Sequence, residues 1–502
     1  MLDSDSIVVA LAPWFFLGYF IAMHAAYLLL DLLCLSGLRR YMASRAFAGL
    51  PTSVQDSEPP VSIVVPTHNR QETIAAALRA LLELDYSEYE VIVVDDGSRD
   101  GTLARLQRDF QLVLFPEAYW RRLRVRHIYG VYRSATHPRL RVIDKSNGGK
   151  ADALNAGINA ARYPLFCALD PDTILQRDSL RRVVQPFLDH PATVASCAAA
   201  RVGNDCTVTD GFLSDIVLPR RLLDRVQLVE WLRVHVFGRL GWSPLNAVLA
   251  VSGAFGIFRK EAVIAAGGYR TDTVGADSEL IMRLHPVNRL AHAAYRIALV
   301  PEPVCWRKTP ATLKGLKAQR IAWQRGLSEA LRMNAKLLLH PRGGTAGWVV
   351  FPFLLLFEWL GPLLEVLGYL VMSALYVTGF LSTEAFVAFM SVAIGFGVLL
   401  SLSALALEEN CFQPYRGPGQ LALIFAALIE NFGYRQLVAL WRVRGMWSTP
   451  HGVHGRSPEP RHGSSPQAAD TRQRDRPRED LHKSRMRDRG DFRRGQDDED
   501  AV

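Results

Sequence analysis

Residues Ile7 to Leu38 form a nearly continuous apolar run, broken by His24 and Asp31. It is longer than the roughly 20 residues that a helix needs to cross a bilayer. It is too long for a cleaved signal peptide and no small-residue cleavage site follows, so the expected structure is a transmembrane helix. Arg39, Arg40 and Arg45 come directly after it. That charge bias places the N-terminus outside and the next domain in the cytoplasm.

Apolar density returns after Pro341. The stretch Gly347 to Leu381 exceeds one span and is punctuated by Pro352, Glu358, Gly361, Pro362 and Glu365. A short helix on the membrane surface, then a span over about 361–382, is expected. Ala385 to Leu407 is a second clean span. Gln420 to Trp441 carries Glu430, Asn431 and Arg435, so it either spans or lies in the interface. With the Arg-rich end (Arg435, Arg442, Arg444) on the cytoplasmic side, an even number of crossings follows the soluble part. Two crossings plus surface helices satisfy this, and so do four short ones.

The regions that follow are residues 1–48 (helix and basic flank), 49–60 (linker), 61–340 (soluble domain), 341–447 (interfacial and transmembrane helices) and 448–502 (tail). The formal net charge of +9 invites a nucleic-acid reading, but the charge is in the wrong place for one. From His451 onward twelve Lys/Arg are nearly balanced by eleven Asp/Glu, with few large apolar residues, which reads as a disordered tail. The excess cations flank apolar runs, as in a membrane protein. No nucleic-acid partner is expected. Six cysteines are scattered without a C-x-x-C pair, which excludes a disulfide scaffold or thiolate zinc site as the organising principle.

Residues 61–340 alternate strand and helix. Val61 to Pro66, Glu90 to Asp95 and Leu165 to Leu169 are apolar, β-branched runs; Glu72 to Leu84, Gly101 to Arg108 and Asp152 to Ala161 have helical character. Such alternation gives an α/β fold with a mostly parallel sheet covered by helices on both faces. Ligands on such sheets gather at the carboxyl ends of the strands.

The polar motifs sit at those ends. The first strand ends in Pro66-Thr67-His68-Asn69, the second in Asp95-Asp96-Gly97-Ser98. A carboxylate there can accept hydrogen bonds from a ribose or base edge; the same residues also suit a turn with a helix cap. Asn147-Gly148-Gly149-Lys150 opens a helix and can hold a diphosphate through backbone N–H groups and the lysine, although it lacks the spacing of a Walker loop. The third strand delivers Asp170-Pro171-Asp172, two carboxylates able to face Mg²⁺ or Mn²⁺. Val251 to Gly256 looks like a tight strand entry, and Asp277 and Glu279 open a later helix. Gln319, Arg320, Trp323 and Arg325 lie on an amphipathic helix just before the membrane. The tryptophan offers a face for a sugar ring and the arginines charge for a diphosphate.

In this order, the motifs resemble the membrane-embedded family-2 glycosyltransferases, a group that includes cellulose, chitin, hyaluronan and poly-N-acetylglucosamine synthases. The resemblance covers about residues 60–445 and is nearest to the bacterial poly-N-acetylglucosamine synthases, through Val61 to Thr102 and Glu430-Asn431-Phe432-Gly433-Tyr434-Arg435. It implies a GT-A domain on a membrane platform in the inner (cytoplasmic) membrane, with that domain cytoplasmic. It implies a nucleotide sugar, UDP-linked in that family, with Thr67, Asp95, Asp96, Lys150 and Asp170 around it and Asp96 on the uridine. It further implies a divalent cation on Asp170 and Asp172 and a catalytic base at Asp277. Gln319, Arg320, Trp323 and Arg325 would serve the acceptor or diphosphate. Two positions depart from the family's pattern: Ala276 replaces a usual glutamate and Ala322 a usual arginine. The expected activity is inverting transfer to a growing polysaccharide, with Glu358, Glu365 and Glu430 as candidates to line its path and envelope export proteins as partners. Transfer of one sugar to a lipid acceptor, or a weakened nucleotide-binding scaffold subunit, are the competing expectations.

Overall fold

The computed structural model describes residues 4–48, 58–117, 119–251, 253–415 and 419–447. The charged tail, most of the linker and Ser252 lie outside them.

The described strands in the first half of the chain are β1 (Val61–Thr67), β2 (Tyr89–Asp96), β3 (Leu112–Leu114), β4 (Ile128–Ser134), β5 (Leu140–Lys145), β6 (Leu165–Leu169) and β7 (Ile174–Leu175). Those that follow are β8 (Thr193–Ala198), β9 (Arg201–Val202), β10 (Thr207–Thr209), β11 (Phe212–Asp215), β12 (Phe255–Arg259), β13 (Arg296–Val300) and β14 (Cys305–Arg307). One sheet has nine strands in the order β13-β8-β12-β6-β1-β2-β5-β4-β3. Its centre, β6-β1-β2-β5, is parallel. Every residue of β1, β2 and β6 is buried, which is why these three runs are so continuously apolar. The helix Lys150–Ala160 packs on β1 and β2. The α/β architecture read from the sequence is therefore the one observed, with β1, β2 and β6 within two residues of their expected ends.

A second, five-stranded sheet in the order β10-β11-β7-β14-β9 was not foreseen. Its strands have two to four residues, too few to register as alternation. It abuts the third strand end, because β7 follows directly on Asp170-Pro171-Asp172.

Among the described residues, three helices are long and apolar enough to cross a membrane: Ala10–Ala43, Thr383–Cys411 and Gln420–Met446. A fourth candidate is the pair Ala346–Trp359 and Gly361–Val377, bent by 45°. The break falls where the sequence placed the junction between a surface helix and a span. The bend falls at Gly361-Pro362, and proline is tolerated at the first turn of a new helix but not inside a continuing one. The first helix packs on Gly361–Val377 and Phe396–Cys411, with Phe20 in edge contact with Phe389 at 5.1 Å. In Gln420–Met446 the backbone leaves helical geometry at Phe432 and Gly433. Both halves lean on helices of the α/β domain: Gln420–Ile429 on Leu222–Trp231, and Arg435–Met446 on Leu313–Met333.

A buried ion pair joins the two parts. Arg201 on β9 donates to Glu408 through Nε at 2.6 Å and Nη2 at 2.9 Å. The same guanidinium donates to the carbonyls of Ala199 and Pro301. Removing one partner of such a pair strands a buried charge. Arg201→Met is expected to cost about 3–5 kcal/mol in detergent-solubilised protein, and R201M/E408M clearly less than the single variant. Denaturant titration of both variants checks this.

Candidate active site

Lys150 begins its helix directly after the two glycines. Its Nζ lies 2.6 Å from Asp170 Oδ1 and 2.9 Å from Asp277 Oδ2. One ammonium thus joins the end of β6 to the first turn of the helix Ala276–Leu290. Arg307, on β14, adds a second cation 3.3 Å from Asp170 Oδ2. Asp172 stands beside them, exposed. Gly253 has φ +67°, and a Cβ there would collide with the Asp277 carboxylate. The tight strand entry exists because only glycine both adopts that backbone and makes room for the aspartate.

These contacts set the electrostatics. Burial pushes the Asp277 carboxyl above the usual carboxylate range; Lys150 opposes the rise and Asp170 adds to it. Burial works against the Lys150 charge, but Asp170 and Asp277 outweigh it and the ammonium is held above its ordinary value. Arg307 is raised likewise: Asp170, Asp172 and Asp277 overcome its burial.

At the other strand ends, Thr67 is buried and its hydroxyl has no hydrogen-bond partner among the described residues. Asp95 accepts from the backbone N–H and the hydroxyl of Ser98, and its burial raises its pKa. Asp96 is committed within the chain. Its carboxylate accepts from Lys145 Nζ at 2.5 Å, Gly148 N–H at 2.9 Å and Gly149 N–H at 2.7 Å. Gly149 has φ +88°, which aims that N–H back at Asp96. Asp96 is thus the peg on which the Gly-Gly-Lys turn hangs, and through the turn it places Lys150.

Further along, a cavity of about 250 Å³ opens at Gly275, Asp277 and Ser278 and runs toward the apolar helices. Trp323, Arg320 and Ala322 line it; Gln319 and Arg325 do not. Trp323 lies 4.9 Å from the ring of His235, which stacks on Trp231 at 4.4 Å. The Arg320 guanidinium is bound to Glu230 at 2.5 Å, and Tyr434 donates to the same carboxylate. Arg325 pairs with Glu329 at 2.8 Å. Both arginines expected near a diphosphate are therefore neutralised by carboxylates of this chain. Glu279 is buried on Arg283 at 2.8 Å. Glu358, Glu365 and Glu430 are paired with Arg442, Arg435 and Arg233 at 3.2, 2.8 and 2.5 Å.

Three residues of the site escaped the sequence reading. Arg307 gave no signal, because its strand has three residues and its partner is distant in sequence. Glu230 and Arg239 stand in the mixed stretch Leu222 to Leu240 among other charges (Asp224, Arg225, Arg233), so neither stood out.

A divalent cation fits this site. No cluster of three or more His, Cys, Asp or Glu side chains able to hold a metal occurs among the described residues. Mg²⁺, however, is usually held by one or two carboxylates with the rest of its shell from water and substrate phosphates. Asp170 and Asp172 offer that pair; Lys150 and Arg307, which hold Asp170 here, would have to share its carboxylate with the ion.

Comparison with known proteins fixes the class. Residues 62–262 match the family described as "Glycosyl transferase family 2", and residues 165–400 match "Glycosyl transferase family group 2". The chain is a glycosyltransferase built on a mostly parallel α/β sheet. It belongs to glycosyltransferase family 2. It is similar to the poly-beta-1,6-N-acetyl-D-glucosamine synthase of Staphylococcus epidermidis, with 26% identity over 62% of this chain and 66% of that protein. With the synthase of the same name from Staphylococcus aureus it shares 28% identity over 54% of this chain and 55% of the other. The match thus spans a little over half to just under two thirds of these relatives. Among solved structures, the mannosyltransferase PcManGT from Pyrobaculum calidifontis, in complex with GDP-Man and Mn²⁺, is similar over 84% of this chain and 99% of its own, with 20% identity and a TM-score of 0.47.

The peg role of Asp96 has a measurable consequence. Asp96→Asn sets an amide NH₂ against backbone N–H donors, so thermal stability should fall by about 1–3 kcal/mol. Amide hydrogen exchange at Gly148 and Gly149 should rise with it; unchanged exchange there would contradict the role.

Proposed function

We propose that this enzyme transfers N-acetylglucosamine from a UDP-linked donor to the end of a growing polysaccharide, with inversion, at the cytoplasmic face of the inner membrane. The observation that carries the reading is the single ammonium of Lys150 shared by Asp170 and Asp277, which puts a metal-type carboxylate and a base-type carboxylate on one centre. The names of the relatives support the sugar and the polymer.

In this reading the nucleotide lies across the ends of β1, β2 and β6, with the unpartnered Thr67 hydroxyl facing it. Asp170 and Asp172 would hold the divalent cation, which supplies Lewis-acid neutralisation of the departing diphosphate. Lys150 and Arg307 add positive charge on the same side. Asp277 takes the proton of the acceptor hydroxyl, so that its oxygen attacks the anomeric carbon opposite the diphosphate. A carboxylate held partly buried is a stronger base than one in water, and the raised pKa of Asp277 serves that task. The acceptor reaches Asp277 through the cavity beneath it, past Trp323. The helix pair Gly361–Val377 and Thr383–Cys411 crosses and returns, and the broken segment after it stays on the side of the α/β domain, which supports an even number of crossings.

One observation favours a second reading, the transfer of a single sugar to a lipid-linked acceptor. Beyond the main cavity, the space between the apolar helices is only about 50 Å³ and is bordered by Glu358, Glu365, Glu430 and their arginines. Product length on a sizing gel separates the two.

Asp277→Asn is expected to lower kcat by about 10²–10⁴-fold while UDP still binds. Asp277 works as a base only when ionised, so its raised pKa moves the acid limb of the pH–rate profile above the ordinary aspartate value of about 3.9. The limb should vanish with D277N; full activity in that variant would remove Asp277 from the chemistry. Asp172→Ala is expected to abolish activity that depends on added Mg²⁺ or Mn²⁺, and an unchanged metal titration would count against the assignment.

A further inference from the structure

The cavity below Asp277 contains a cation that the reaction described so far does not use. Arg239 lines it, from the short helix Gly238–Leu240. Its Nη1 is shielded from solvent and has no hydrogen-bond partner among the described residues. The other two arginines of the cavity are already spoken for, Arg320 by Glu230 and Arg442 by Glu358. Burial lowers the Arg239 pKa to about 10, with Glu358 opposing, so the guanidinium stays protonated at neutral pH. A buried donor left without an acceptor costs roughly 1–3 kcal/mol, more when charged. Arg320 Nε in the same cavity lacks a partner too, but Arg320 has Glu230; no carboxylate among the described residues pairs with Arg239, which leaves a water or a ligand to complete it.

The surroundings define that ligand. His235 lines the same cavity, and its Nδ1 also lacks a partner among the described residues. Trp231, His235 and Trp323 make an aromatic wall suited to the apolar face of a sugar ring. Three carboxylates (Glu230, Asp277, Glu358) and three guanidiniums (Arg239, Arg320, Arg442) line the space, so it is balanced in charge and favours a neutral oxygen over an added anion. The strongest neutral acceptor that a sugar carries is the carbonyl of an acetamido group. Ala322, on the same wall, leaves the room that a longer side chain would take.

From this geometry we infer that Arg239 is an acceptor-specificity residue: its free guanidinium nitrogen donates to the acetamido carbonyl of the sugar whose hydroxyl is presented to Asp277. The inference rests on the proposed transfer to an N-acetylhexosamine chain. It adds a reason for the acceptor to be acylated, and it assigns a function to a residue outside the strand-end motifs. Trp231 and Trp323 supply the stacking surface, and His235 stands ready to bond a ring hydroxyl.

The test uses the full-length chain in detergent, with UDP-N-acetylglucosamine as donor. Two acceptors are compared: a β-1,6-linked N-acetylglucosamine pentasaccharide, and the same chain with its non-reducing terminal sugar de-N-acetylated. The unmodified protein should prefer the acetylated acceptor by about 10- to 100-fold in kcat/KM, the range expected for one lost charged hydrogen bond. Arg239→Met should raise the KM for the acetylated acceptor by a similar factor and erase the preference, with the UDP Kd changed less than about twofold. Arg239→Lys, which keeps the charge and is the gentler change for folding, should keep part of the preference. Equal use of both acceptors by the unmodified protein, or an undiminished preference in the lysine and methionine variants, would overturn the inference and leave the polymer reading intact. A rise in donor KM instead of acceptor KM would move Arg239 to the nucleotide side and overturn it as well. Failure of the unmodified protein to extend either pentasaccharide would defeat the polymer reading itself, and the inference with it.

Discussion

The site is organised around one ammonium held between two carboxylates. Lys150 and Asp277 are 127 positions apart, yet their side chains meet beside Asp170. Two carboxylates brought together in a partly buried cleft repel each other, and an uncompensated pair would protonate or move apart. Lys150 on both, and Arg307 on Asp170, offset that repulsion. The arrangement has structural prerequisites: the turn that starts the lysine helix must be fixed, and the space beside Asp277 must be clear. Asp96 meets the first by accepting the N–H groups of Gly148 and Gly149. Gly253 meets the second by having no side chain.

The same rule governs how the α/β domain is fastened to the apolar helices. Each buried carboxylate at that junction has a guanidinium: Glu408 with Arg201, Glu230 with Arg320, Glu430 with Arg233. In a low-dielectric surround an unpaired member would cost several kcal/mol, so each pair fixes relative position more than it adds net stability. Most charges that punctuate the later apolar runs are halves of such pairs, whereas Asp31 in the first helix accepts from the Ser403 hydroxyl. Glu358 and Glu365, candidates from the sequence to line a polysaccharide path, are held by Arg442 and Arg435. Arg239 is the exception among the cavity arginines, and for that reason it points to a missing partner.

What the sequence disclosed follows from length and locality. β1, β2 and β6 are long, apolar and buried on both faces, so their ends could be located and the motifs after them assigned to one rim. The bend before Gly361 was legible because proline and glycine act locally. The second sheet was not, since its strands are too short to show a period, and Arg307 went unnoticed with it. Asp96 is the instructive case. Its identity and position were legible, but its carboxylate is satisfied by backbone N–H groups about fifty residues away, and backbone donors leave no mark in composition or spacing. Arg320 and Arg325 illustrate the same limit: an arginine in a motif looks available until its carboxylate is found.

The two departures from the family's pattern fall on one side of this site. Thr67, Asp95, Asp96, Lys150, Asp170 and Asp172 stand at the strand ends as the pattern requires. Ala276 and Ala322 replace larger charged residues next to Asp277 and Trp323, where the cavity begins. Loss of charge on the nucleotide side would weaken a step every member of the family shares, the departure of a diphosphate. Loss of charge on the cavity side instead changes which acceptor fits, because it trades a fixed guanidinium for space and leaves Arg239 as the cation facing that space. In the proposed reading, both departures therefore lie on the acceptor side, beside Asp277 and Trp323, while the strand ends proposed for the donor keep the residues of the pattern.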